Sequence, residues 1–176
     1  MAAAPLTPES VLPAALIDQY VKPSEAQAAL VGALRLSAIS WVEGHTRHSL
    51  ARRLWTATFD SLSDAIALPR EPVRSVSLLV YRNALGETVE GAGLWRLDGN
   101  RLLPISGARW AADVIGATAV TVTFDAGYDD VSVEAPGLQI AALMMMKHLL
   151  DGGSVDDVPN TVRLLLDEQY RTPVIA

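Results

Sequence analysis

The chain contains no cysteine, which excludes disulfide scaffolds, thiolate zinc sites and cysteine nucleophiles. That absence also fits assembly in a reducing cytoplasm. The opening Met1-Ala-Ala-Ala-Pro5 has no basic stretch and no long apolar run, so no signal peptide is expected. A membrane span is missing as well. The apolar stretch from Ile140 to Met146 stops at Lys147 and His148, far short of the roughly 20 residues a span needs, and a soluble protein is expected. Charge is scarce: charged residues make up 19% of the chain while 50% is hydrophobic. A domain with so few charges leaves apolar surface for another subunit to cover, which favours an oligomer. Clustered Lys and Arg are absent too, so no duplex-gripping surface is expected.

The 176 residues fit one domain with room for an inserted subdomain, enough to bury about two-thirds of the unfolded surface. The charge present is unevenly placed. From Asp125 to Ala176 there are nine acids and three bases, and the remainder is neutral with eleven of each, so the C-terminal part carries the whole net charge of −6. One reading is a solvated acidic face. The other is a surface lining a DNA passage, where like charge keeps the duplex from sticking.

Helical signals come first. Ser10 is placed to cap a short helix from Pro13 to Tyr20, and Lys22-Pro23 breaks it. Ser24-Glu-Ala-Gln27 is a capping-box pattern. Behind it Leu30, Leu34, Ala38 and Trp41 mark one apolar stripe of a helix running to about Gly44. The period then changes to two. Six short strands are expected: Leu54 to Phe59, Ala65 to Leu68, Val73 to Tyr81, Leu94 to Leu97, Arg101 to Ile105, and Ala119 to Phe124. Turns at Asn83-Ala-Leu-Gly86 and Asp98-Gly-Asn100 separate them, and together they suggest an antiparallel sheet or small barrel. Helix returns at Pro136, apolar nearly all round from Leu138 to Leu150, and a last helix runs from Thr161 to about Tyr170. The order predicts an α+β fold, a helical bundle platform with an inserted antiparallel β-subdomain. The expected divisions are 1–49, 50–132 and 133–176.

Little of this carries chemistry. His45 and His48 lie past the end of the long helix beside Arg47, Arg52 and Arg53, where cations stabilise exposed carbonyls; His148 follows the same logic. No histidine has an acidic or second histidine partner at ligand spacing with a further ligand in sight. Asp125-Ala-Gly-Tyr-Asp-Asp130 lacks the alternating ligands and closing Glu of a calcium loop and reads as a strand-to-helix turn. Gly91-Ala-Gly93 is followed by no helix that would make it a phosphate loop, and no G-x-S-x-G frames a serine. Met144-Met-Met146 is either an adaptable binding patch or core, of the chain itself or of a subunit interface. Neither an enzyme nor a cofactor is expected.

Several short signals share one order. They are Ser40-Trp-Val-Glu-Gly-His-Thr46, Leu54-Trp-Thr-Ala-Thr-Phe59, Ile66-Ala-Leu-Pro-Arg-Glu-Pro-Val-Arg-Ser-Val76 and Val80-Tyr-Arg-Asn-Ala-Leu-Gly86. Val120-Thr-Val-Thr-Phe-Asp-Ala-Gly-Tyr128, Val158-Pro159 and Leu164-Leu-Leu-Asp-Glu-Gln-Tyr-Arg171 complete the set. In this order, from about Ser37 to Pro173, the chain resembles the head–tail connector (adaptor) family of long-tailed phages and gene transfer agents.

That resemblance implies a structural virion protein, made in the host cytoplasm and built into the connector of the particle. It implies a ring of about twelve copies, each repeating one heterologous contact, seated on the portal protein and offering its other face to a stopper or tail-terminator protein. DNA would pass through the channel without sequence-specific binding. Tyr170, Arg171, Thr172, Pro173, Val174 and Ile175 are the expected portal-docking tail, with the first two as anchors. Met144, Met145, Met146 and Trp41 are subunit-interface candidates. Asp151, Asp156, Asp157, Asp167 and Glu168 are the candidates to face the channel. A neighbouring neck or tail-completion protein, attached to the tail instead of the portal, is the alternative.

Overall fold

The computed structural model describes residues 1–3, 7–62, 65–105, 109–110 and 116–170, and the fold is α+β. The chain divides into two compact units. One is Met1–Pro5 with Arg52–Gly127, the other Leu6–Ala51 with Tyr128–Ala176.

The first unit is made of strands: β1 (Ala2–Ala3), β2 (Arg53–Ser61), β3 (Ile66–Ala67), β4 (Val73–Arg82), β5 (Thr88–Glu90), β6 (Trp95–Asp98), β7 (Arg101–Pro104) and β8 (Thr118–Ala126). Five form an antiparallel sheet in the order β1-β2-β8-β4-β5, and three form a second, β3-β7-β6. Alternation along β8 sends Val120, Val122 and Phe124 to one face. Register sets Trp55 opposite Phe124 and Ala57 opposite Val122. These side chains form the core with Leu79 and Tyr81 of β4, Ile66 of β3 and Leu102 of β7. The guanidinium carbons of Arg53 and Arg70 lie 4.5 and 4.6 Å from the Trp55 ring centroid, close enough for cation–π attraction.

Eight strands are described where six were expected. Neither the two alanines of β1 nor the three-residue step of β5 carries a readable alternation, and β1 opens a segment read as helical. β4 also departs from simple alternation, because three register shifts interrupt its pairing with β8. Such bulges add a residue on one strand and turn the following side chains.

The second unit is helical: α1 (Pro8–Val11), α2 (Ala14–Tyr20), a 3-10 turn (Glu25–Leu30) leading into α3 (Val31–Thr46), then α4 (Val131–Glu134), α5 (Pro136–Leu150) and α6 (Asn160–Gln169). Ser10 does not cap α2. It sits inside α1, donating to the Thr7 carbonyl at 2.7 Å, while Pro13 precedes α2. In the capping box, Gln27 Oε1 accepts from the Ser24 amide at 3.0 Å. The Asp125–Asp130 stretch is a capping turn: Asp130 Oδ1 accepts from the Ser132 amide at 2.9 Å and Glu134 from the Asp129 amide at 2.8 Å.

The apolar stripe expected on α3 is rotated. Its buried residues are Arg35, Ala38, Ile39, Val42, Glu43 and Thr46, while Leu30 is more than half exposed. The two charged side chains of the helix face inward, which hid the true face from a hydropathy count. Arg35 pairs with Glu9. Glu43 accepts from the Leu50 amide at 2.9 Å, and its own carbonyl takes the Arg47 amide where the chain turns at φ 64°. Glu43→Ala strands the buried Leu50 amide and should cost about 1–3 kcal/mol in urea unfolding. Glu43→Gln keeps an acceptor and should cost less.

Candidate functional site

α5 is the axis of the helical unit. Gly137, Leu138, Ala141, Ala142, Leu143, Met145 and Met146 are buried along it, and the core they join includes Ile17, Ile39, Val42, Val162 and Leu166. The three methionines do not share a fate. Met145 and Met146 are fully buried in the chain's own core, leaving only Met144 of the run at the surface. Successive residues on a helix point about 100° apart, so three in a row cannot serve one interface.

Met144 lines a groove of about 700 Å³ between α2 and α5, with Leu16, Tyr20, Val21, Ile140 and Leu143 as its main apolar walls. Tyr20 and Ile140 are 62% and 49% exposed. At one end Lys147 and Asp151 form an ion pair at 2.5 Å, so this charged rim neutralises itself. Tyr20 and Ile140 escaped the sequence reading, because an all-round apolar helix does not reveal which side stays uncovered.

Trp41 is half-buried and stacks on His45 with centroids 5.0 Å apart. His45 Nε2 lies 3.0 Å from Asp167 Oδ1, joining α3 to α6. Asp167 is thus engaged inside the unit. Asp151, Asp156, Asp157 and Glu168 are exposed on the end of α5, the following loop and α6.

Tyr170 is held by its own unit. Its ring lies against Gly137, where an added Cβ would sit 2.8 Å from the phenol oxygen. Its edge meets His48 with centroids 5.7 Å apart, and His48 Nδ1 is 2.7 Å from the Tyr128 hydroxyl. Arg171, Thr172, Pro173, Val174 and Ile175 lie outside the described residues. Among the described residues no three His, Asp or Glu side chains gather as a metal site would require, and no helix is long and apolar enough to cross a membrane.

No family model matches the chain, and neither does any curated protein. Solved structures match over its whole length. Fold and comparison together define a structural protein of the head–tail connector type, a component of a particle's neck. The similar structures come from gene transfer agent (GTA) particles. The neck of a native GTA particle computed with C12 symmetry has a TM-score of 0.73 and 26% identity, covering 100% of this chain and 98% of that one. The neck of an empty GTA particle computed with C6 symmetry gives 0.78 and 23%, covering 99% and 96%. The virion of a native GTA particle gives 0.76 and 24%, also covering 99% and 96%. Necks of this symmetry repeat each component about one axis, which makes a homo-oligomeric ring the assembly of the class.

Proposed function

We propose that this chain is the non-enzymatic adaptor of its particle, a ring subunit joining the portal protein to the stopper or tail-terminator protein. The observation that carries the reading is the whole-length likeness to a neck component at twelve-fold symmetry. The ring encloses a channel through which DNA passes. Exposed Asp156, Asp157 and Glu168 suit a surface near that path, since like charge keeps phosphates from adhering.

The test is binding of the purified chain to purified portal rings, followed by co-sedimentation and negative-stain imaging. A second ring added to one end of the portal is the expected result. Capping of isolated tails with no portal binding would replace the adaptor by a tail-completion protein.

The portal contact is assigned to residues 171–175, with Tyr170 as the fixed point from which they depart. A chain ending at Tyr170 keeps that ring against Gly137 and His48. Its thermal unfolding should match the full chain, while co-sedimentation with portal rings should be lost. Undiminished binding by the shortened chain overturns the docking tail.

A further inference from the structure

The solvent side of α3 is unusual for an exposed helix. Gly32, Ala33, Leu36, Ser37, Ser40 and Gly44 are all exposed, and at about 100° per residue they form one face with Gly32 at its edge. Within α3 no charge lies on it, because Arg35 and Glu43 point into the core; the exposed Arg47 caps its C-terminal end. Most solvent-facing helix surfaces carry charged or polar side chains; this one is built of small residues around a single leucine.

Among the described residues its two glycines have no close neighbour that would exclude a side chain. A Cβ at Gly32 or Gly44 would meet no atom within 4 Å, and neither has the positive φ that demands glycine. Glycine inside a helix is destabilising relative to alanine. A cost with no return inside the chain indicates a body that comes close from outside.

A closed ring of identical copies needs two different surfaces per copy that fit each other. The helical unit carries a second uncharged surface, the groove of Tyr20, Ile140 and Met144, whose rim charges Lys147 and Asp151 cancel. It is large-featured where the α3 face is small-featured. The two are separate. α3 turns its other side to the core that it shares with α5, while the groove opens between α5 and α2.

We propose that the small-residue face of α3 in one copy seats against the α2–α5 groove of the next, and that this pairing closes the ring. Tyr20, Ile140 and Met144 fill the space left over Gly32, Ser40 and Gly44. The inference rests on the ring reading above, and names the surfaces that build the ring.

The absence of native cysteine makes the test direct. Ser40→Cys with Met144→Cys in one chain, treated with a short bis-maleimide during ring assembly on portals, should give a ladder of linked copies. Ser40→Cys alone should give none. A linked dimer from Ser40→Cys alone means that α3 meets α3, which overturns the pairing. So does a chain that forms rings yet yields no ladder from the double variant.

A second measurement reads the same contact without a linker. Ser40→Glu and Ile140→Glu should each fold and fail to form rings, and their mixture should give paired copies, because one sound contact survives between them. Rings from either variant alone overturn the proposal. Gly32→Ala with Gly44→Ala should raise the melting temperature of the free chain and weaken ring assembly; unweakened assembly counts against the close approach. A wild-type chain that forms no ring with portals or by itself removes the ring reading, and this pairing with it.

Discussion

Lysine in place of Met146 should leave the helical unit unfolded, whereas lysine in place of Met144, two residues earlier, should leave it folded. Met146 is fully buried among Ile39, Leu138, Val162, Leu166 and their neighbours. An ammonium there loses its water among apolar side chains, at an effective cost of several kcal/mol. That is comparable to the roughly 5–15 kcal/mol by which a domain is stable. Met144 opens on the groove, where a lysine stem can lie along Ile140 with its charge in water. Far-ultraviolet circular dichroism separates the two, with helix lost in Met146→Lys and kept in Met144→Lys. Equal loss in both would show that the groove is closed by the chain itself. Met144→Lys should also fail to assemble into rings, since the charge then faces the uncharged side of α3.

Phe124→Ala should cost about 3–5 kcal/mol, a large effect for a single truncation in the β unit. Phe124 is fully buried on β8, which pairs with β2 on one side and β4 on the other. It stands opposite Trp55 in one neighbour and Val76 in the other. Two flanking strands fix the backbone around it, so the cavity left by the ring has little means of collapsing. Thr123→Ala is the control, because its side chain turns to the other face and its hydroxyl lies 3.5 Å from that of Thr56; its cost should stay below about 1 kcal/mol. The midpoint of urea unfolding reads both, and an unchanged slope would confirm that folded and unfolded states expose the same surface difference.

The parts of the fold that were legible in sequence are those where one period runs without interruption. β8 was, because Val120, Val122 and Phe124 alternate with threonines. α5 and α6 were, because Pro136 and Pro159 mark their starts. The face of α3 was not, since burial of Arg35 and Glu43 inverts the usual relation between charge and exposure. Their partners, Glu9 and the Leu50 amide, help to make that burial possible. The same limit governs the surface. Met144 and Met146 are identical residues two apart, and nothing local says which one faces solvent. The groove beside Met144 needs α2 for its other wall, and the His48, Tyr128 and Tyr170 cluster joins residues more than 40 positions apart. The likeness to a neck component was readable from motif order; the two uncharged surfaces of the helical unit required the packed helices.

The clamp on Tyr170 works as a mooring point. Whatever follows Tyr170 starts from a point fixed by Gly137 and His48, so a side chain introduced at position 137 would displace that starting point along with the ring.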